Sequence, residues 1–295
     1  MTESRALSST EPHAHLAVLG SPIAHSKSPA IHAAAYEVLG LDWRYGREEL
    51  RAAELGAFLA SRGPEWRGFS LTMPLKEEAH RLAITLDPVA ERSGVVNTLL
   101  RVVGPGSTPA WAGFNTDVAG LAAAVSEAGL DPARTVVLGA GATAVSAVLA
   151  AQQLGAERVA IVARRIEPAQ QLAARFGAEA AQIGSPEAES ICADATLVVS
   201  TLPGPAGAQV ELPEALTRVP LFDVAYDPWP SPLAERWRER GGEAHPGLAM
   251  LVQQALVQLR IFVGGDPGFE LDREAEVLRA MRSAVERRTE PEDED

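Results

Sequence analysis

Strand-like and helix-like patterns alternate along this chain, and the alternation predicts an α/β protein of two domains, the second built on a parallel sheet. Three observations carry that reading. The first is the β-α-β order itself, which implies a parallel sheet covered by helices. The second is a glycine-rich turn between a short apolar strand and a helix near the middle of the chain. The third is the length of 295 residues, which at about 150 residues per domain favours two domains. With 46% hydrophobic and 22% charged residues, the composition is that of an ordinary folded chain able to bury a sizeable core.

Residues 1–14 are polar and aperiodic and read as a flexible tail. An apolar strand follows at 15–19. Residues 29–39 read as a helix, with Ser28 as N-cap, Pro29 at the first helical position and Gly40 just past the end. A second helix is expected over 48–61, a strand over 66–71, and a further helix opened by Pro74. Strands at 95–102 and 111–114 flank a turn at Gly104-Pro105-Gly106, and 117–128 is an alanine-rich helix. The middle is more regular, with short buried strands at 135–138, 158–162, 196–201 and 221–224 and helices at 143–154 and 168–176. After Gly247 the pattern is helical to 263 and again over 272–288. The boundary between the two α/β units is expected near Asp117. Residues 289–295 are almost all acidic and read as a solvated tail.

Twenty-six basic against 39 acidic residues leave a net charge of −13. That argues against a nucleic-acid partner, which needs a basic face to neutralise phosphates. Any anionic ligand must instead be held by a few well-placed donors. The single cysteine, Cys192, permits no disulfide framework within the chain. No apolar run reaches the roughly 18 residues that span a bilayer, so no membrane association is expected. The N-terminus lacks the basic start and apolar core of a signal peptide, and a cytoplasmic protein is expected.

The turn is Gly139-Ala140-Gly141-Ala142-Thr143-Ala144, a G-x-G-x-x-A string in the strand–turn–helix context that dinucleotide binding requires. Gly139 permits the tight turn, Gly141 lets the backbone approach a pyrophosphate, and Ala144 lets the helix pack close to the sheet. The helix N-terminus offers free N–H groups to phosphates. In an NAD site the next strand ends in an acid for the ribose hydroxyls. Here it ends in Ala163-Arg164-Arg165. Guanidinium groups suit a 2′-phosphate, so NADP(H) is favoured over NAD(H), with Arg164 first and Arg165 helping.

Four polar clusters stand in the first unit. Ser26 and Ser28 alternate at a helix start and suit a carboxylate, which gains hydroxyl donors and helix N–H groups; Ser28 as a plain cap is the simpler alternative. In Thr72-Met73-Pro74-Leu75-Lys76, Lys76 falls in the first turn of a helix, where a cation opposes the dipole. A structural reason for it is therefore poor, and it is a candidate acid–base group. Val96-Asn97-Thr98 and Asn115-Thr116-Asp117 both end next to a strand in donors and acceptors, although Asp117 also suits a helix N-cap. His25 and His32 lack metal spacing and companions, so no metal site is expected.

Together these residues resemble the shikimate dehydrogenase family, from about residue 16 to 263. The resemblance rests on Ser26-x-Ser28-Pro29, Thr72-x-Pro74-x-Lys76, Val96-Asn97-Thr98, Asn115-Thr116-Asp117 and the glycine-rich turn. It rests also on Asp223-x-x-Tyr226-x-Pro228, Pro232-Leu233 and Met250-Leu251-x-x-Gln254-Ala255. The resemblance implies a substrate-binding α/β domain at 15–117, a Rossmann-like NADP domain at 118–247, and C-terminal helices at 248–288 that return to the first. It implies that Ser26 and Ser28 hold the substrate carboxylate with Tyr226 nearby, and that Thr72, Asn97, Asp117 and Gln254 bind ring hydroxyls. Lys76 and Asp117 would be the catalytic pair. Thr201 and Val224 would lie along the cofactor and Gly247 beside its nicotinamide.

The implied reaction is NADPH-dependent, reversible reduction of 3-dehydroshikimate to shikimate, by a monomer or homodimer. Use of quinate or aminoshikimate, or a catalytically silent sensor of NADP(H) or shikimate-like ligands, are the alternatives. Where the family usually carries Asn, this chain has Ala33, Ser70 and Ala163, and Ala142 replaces a third glycine. The shorter Ser70 leaves a direct substrate contact there open.

Overall fold

The computed structural model describes residues 14–203, 207, 210 and 213–286. The expected acidic tail lies outside them, as does the expected N-terminal tail apart from Ala14, which already belongs to a strand. Two sheets of six strands organise the chain. The first contains β1 (Ala14–Gly20), β2 (Trp43–Glu49), β3 (Trp66–Leu71), β4 (Thr85–Leu86), β5 (Thr98–Val103) and β6 (Pro109–Phe114), in the order β2-β1-β3-β5-β6-β4. β1 runs parallel to β2 and β3, while β5 is antiparallel to β3 and β6.

The second sheet contains β7 (Arg134–Leu138), β8 (Arg158–Ala163), β9 (Glu179–Gln182), β10 (Leu197–Ser200), β11 (Leu221–Asp223) and β12 (Ala244–Pro246). Its order is β9-β8-β7-β10-β11-β12, and every pairing is parallel. This is the doubly wound order, in which ligands bind at the carboxyl ends of the strands where the winding reverses, here between β7 and β10.

The two-residue period of a strand sends neighbouring side chains to opposite faces. Leu16 therefore packs on one face of the first sheet with Ile31 and Ala35 of α1 (Ser28–Leu39). Ala17 and Leu19 pack on the other with Leu59 of α2 (Leu55–Ala60), Ala79 of α3 (Lys76–Leu82) and Ala90 of α4 (Pro88–Ser93). In the second sheet Val137 faces α5 (Asp117–Glu127), α6 (Ala142–Gln153) and α7 (Ile166–Phe176). Val136 and Leu138 face α8 (Pro186–Cys192) and α9 (Pro232–Glu239), where Cys192 and Trp237 are buried.

The C-terminal helices α10 (Leu248–Gly264) and α11 (Glu274–Glu286) return to the first sheet. Leu259 and Phe262 of α10 and Met281 of α11 are fully buried with Leu16 and Ile31. Each such side chain contributes about 1.5–3 kcal/mol of burial, which fixes this long-range return.

Two expectations need correction. The stretch 48–61 is not one helix: its start belongs to β2, and a short 3-10 turn precedes α2. Local propensity gives way there to pairing, because β1 offers β2 seven registered partners from Ala14↔Trp43 to Gly20↔Glu49. Ser28 is not an N-cap. Lys27 holds that position without a side-chain cap, and the Ser26 hydroxyl oxygen accepts from the Ser28 N–H at 3.3 Å.

Candidate active site

Two clefts meet between the sheets, one of about 470 Å³ and one of about 840 Å³. Thr72, Met73, Lys76 and Thr143 border both. The smaller cleft is lined by Ser26, Ser28, Thr72, Lys76, Asn97, Asp117, Tyr226 and Gln254, and also by Val224 and Gly247. The larger is lined by Gly139, Ala140, Gly141, Ala142, Thr143, Arg164, Arg165 and Thr201. Thus the expected substrate-binding, catalytic and cofactor-binding residues line one or other of two joined cavities.

At the junction Lys76 Nζ donates to Asp117 Oδ2 at 2.6 Å, and both side chains are nearly buried, at 11% and 8% exposure. Lys76 opens α3, against its dipole, and Asp117 opens α5, in favour of its dipole. The Asp117 carboxylate meets the cation directly, while Glu77 and Glu78 complement the dipole in the first turn of α3. Asp117 is not the helix cap: Thr116 takes that position. The second carboxylate oxygen, Oδ1, accepts from Asn97 Nδ2 at 2.8 Å, and the same amide donates to Thr116 Oγ1 at 2.9 Å. Asn97 Oδ1 in turn accepts from the Thr116 N–H and from the Thr98 hydroxyl, each at 2.9 Å. Both carboxylate oxygens of Asp117 and both ends of the Asn97 amide are held, which is the condition under which a buried network rigidifies rather than destabilises.

Gln254 reaches this network because α10 crosses α5 at a glycine. A Cβ at Gly120 would lie 2.6 Å from Gln254 Cβ and 2.7 Å from its backbone nitrogen. The Gln254 amide donates to Leu251 O at 2.7 Å, and its Oε1 lies 3.4 Å from the Thr116 hydroxyl. Asn115 has another task. Its side chain ties Ser93 to Ser146, accepts from the Asp117 N–H, and so fixes where α5 begins.

At the far end of the smaller cleft, Ser26 and Ser28 are buried at 9% and 5% exposure. Arg47 anchors their loop by donating twice to the Ser26 carbonyl, at 3.0 and 2.6 Å. Sequence reading missed Arg47, because it places no strand over 43–47. The alternation of Trp43, Tyr45 and Arg47 was the available signal. Burial pushes the Tyr226 phenol above its usual range and the Asp227 charge adds to this, while the Arg47 charge opposes both.

The larger cleft is built from backbone and exposed charge. Gly139 has φ +108°, and a Cβ there would lie 2.6 Å from Thr201 Oγ1, so the turn needs glycine twice over. At Gly141 an added Cβ would meet nothing within 4 Å, which leaves the approach to the N-terminus of α6 open. No side chain caps that helix end, so its N–H groups are free for phosphate oxygens. Arg164 and Arg165 are exposed at the cleft edge, and neither makes an ion pair with a described residue. The chemistry of this donor set fits a dinucleotide carrying an extra phosphate. Among the described residues no cluster of His, Cys, Asp and Glu is arranged to hold a metal ion, and no helix is long and apolar enough to cross a membrane.

A doubly wound parallel sheet with a phosphate cradle beside a mixed sheet, with a nearly buried lysine–aspartate pair where their clefts join, defines a two-domain dehydrogenase. Residues 18–99 match the shikimate dehydrogenase substrate-binding domain, and residues 114–212 match the C-terminal domain of alanine dehydrogenase/PNT. The chain is 33% identical to the shikimate dehydrogenase (NADP(+)) of Brucella melitensis over 282 residues, 91% of this chain and 92% of the relative.

The crystal structure of Mycobacterium tuberculosis shikimate dehydrogenase is similar with a TM-score of 0.79 and 36% identity, covering 92% of this chain and 99% of that one. That of Thermus thermophilus shikimate 5-dehydrogenase in complex with NADP(H) and shikimate is similar with a TM-score of 0.78 and 31% identity, again over 92% and 99%. The chain belongs to the shikimate dehydrogenase family.

Proposed function

We propose that this chain catalyses the reversible, NADPH-dependent reduction of 3-dehydroshikimate to shikimate, with Lys76 and Asp117 as the catalytic pair. The observation that carries the proposal is the nearly buried Lys76–Asp117 contact of 2.6 Å where the two clefts join. NADP(H), when bound, supplies the hydride. The chain supplies position and charge. Lys76 holds a proton for the carbonyl oxygen and stabilises the alkoxide charge that develops there; Asp117 orients the ammonium and accepts from a ring hydroxyl. Asn97, fixed by Thr98 and Thr116, keeps Asp117 in place, and Thr72 and Gln254 bind ring hydroxyls beside it.

Ser26 and Ser28 take the substrate carboxylate, with Tyr226 donating from across the cleft. The freedom of the Ser28 hydroxyl from capping supports this role. Backbone N–H groups of the turn from Gly139 through Ala140, Gly141 and Ala142 to Thr143 take the pyrophosphate, and Arg164 with Arg165 takes the 2′-phosphate. Thr201, Val224 and Gly247 line the path of the cofactor.

Residues 15–117 with 248–288 form the substrate unit in this reading, and 118–247 form the NADP unit. The return of α10 onto α1 and the first sheet supports that division. The reading includes a cytoplasmic enzyme that acts on a small molecule, as a monomer or homodimer, without nucleic acid.

The test is a steady-state assay of nicotinamide reduction that crosses shikimate and quinate with NADP⁺ and NAD⁺. Fast turnover of shikimate with NADP⁺ alone is the expected result. Quinate turnover with NAD⁺ would overturn the assignments of Ser28 and Arg164. Ligand-induced stabilisation without turnover in any combination would identify a sensor instead.

A further inference from the structure

Ser70 lines the smaller cleft at 4% exposure, yet the network around Asp117 does not include it. It pairs with Val18 on β1 and Thr98 on β5, so these three side chains share one face of the first sheet. Tyr45 on β2 pairs with Leu16, two residues before Val18, and so points to that same face. Its side chain crosses β1 and its hydroxyl is hydrogen-bonded to the Ser70 hydroxyl. Ser70 is the only partner of the Tyr45 hydroxyl among the described residues.

The Tyr45 ring is itself fixed. The imidazole of His32 stacks on it, with centroids 4.1 Å apart and planes 5° from parallel. His32 is fully buried, and its Nε2 lies 3.3 Å from Oε1 of Gln258, another residue of the cleft wall. Burial pushes the Tyr45 phenol well above its usual range, so it stays neutral and keeps its proton. The phenol is the more acidic of the two hydroxyls and Ser70 is the one acceptor it has, so the phenol donates. That leaves the Ser70 O–H free to turn into the cleft.

We propose that Tyr45 is a positioning residue for substrate binding: it donates to Ser70 and thereby aims the Ser70 hydroxyl as a donor at an oxygen atom of shikimate. The inference rests on the reading of the smaller cleft as the shikimate site. A serine is too short to choose its own direction on this floor, and Tyr45 chooses it from outside the cleft wall. The contact is of the kind that holds ground state and transition state alike, so it acts on KM rather than kcat.

The experiment is a double-mutant cycle of Tyr45→Phe and Ser70→Ala, read as KM for shikimate, KM for NADP⁺ and kcat in shikimate oxidation. Tyr45→Phe keeps the ring that stacks on His32. Each single variant is expected to raise KM for shikimate by about 3- to 10-fold, the usual range for one hydrogen bond. KM for NADP⁺ and kcat are expected to stay within about twofold of wild type. In the double variant KM should be no higher than in Ser70→Ala, because Tyr45 acts only through Ser70. Full multiplication of the two effects would overturn the proposal, and so would an unchanged KM for shikimate in either single variant.

Ser70→Ala leaves the aromatic stack untouched and keeps the test open if Tyr45→Phe folds poorly. Wild-type protein that does not oxidise shikimate at all would sink the functional reading, and the role of Tyr45 with it. Active wild type with an insensitive Tyr45→Phe variant sinks the role alone.

Discussion

The two joined clefts are built on opposite plans. In the smaller one, side chains hold one another: Lys76, Asp117, Asn97 and Thr116 form a closed set of contacts between 2.6 and 2.9 Å. In the larger one, backbone does most of the holding, and the charged side chains, Arg164 and Arg165, stand exposed at the rim. The difference follows from what each must recognise. A proton has to be delivered to one atom, so its donor must be fixed by neighbours in a dry setting. A pyrophosphate is large, symmetric and doubly charged, and free N–H groups at a helix end recognise it without any side chain. Rigidity is therefore concentrated where the bond changes, and adaptability where the cofactor arrives.

That contrast can be broken most severely at Lys76. Lys76→Ala removes the cation and leaves Asp117 with a nearly buried charge; kcat is expected to fall by about 10²- to 10⁴-fold. A normal kcat with only a raised KM would make Lys76 a binding group. The larger cleft should respond differently. Arg164→Ala is expected to raise KM for NADP⁺ by about 10- to 150-fold, the loss of one charged hydrogen bond, with kcat nearly unchanged. The same variant tested with NAD⁺ should show little change, since no 2′-phosphate is present; an equal loss with both cofactors would remove the phosphate from the argument.

The smallest effect is on stability. His32 is buried and its imidazole pKa is pushed down from 6.5 to about 3 by desolvation. The folded state refuses a proton that the unfolded chain accepts. Its contribution is thus fully present above pH 6.5 and is lost as pH falls from there toward 3. The slope is at most about 1.4 kcal/mol per pH unit. His32→Phe keeps a ring against Tyr45 and should flatten the acid side of a urea-denaturation pH profile. An unchanged profile would mean that His32 is not the group responsible.

Much of this was legible in the residues themselves. The turn at Gly139–Thr143, the serines at 26 and 28, and the three other polar clusters announce themselves by type and spacing, because helix starts and phosphate cradles are local structures. β2 was not legible. Trp43–Glu49 ends in three consecutive charged residues that mask the short alternation of Trp43 and Tyr45, and its pairing with β1 makes it a strand. With β2 missed, Tyr45 and Arg47 were out of reach, although both act on the cleft. The role of Asn115 was hidden for the same reason: its partners Ser93 and Ser146 are 22 and 31 residues away.

By itself the sequence determined the doubly wound half, the glycine-rich turn with its arginines, and the identity of the polar groups in the first half. Those depend on interactions between residues close along the chain, where periodicity, caps and turn chemistry act. Tertiary structure alone decided which of the polar groups meet. Lys76 and Asp117 are 41 residues apart, and Thr116 and Gln254 are 138 apart. The second contact exists because α10 buries its apolar face on the first sheet and crosses α5 at Gly120, and burial of that kind has no direction along the sequence.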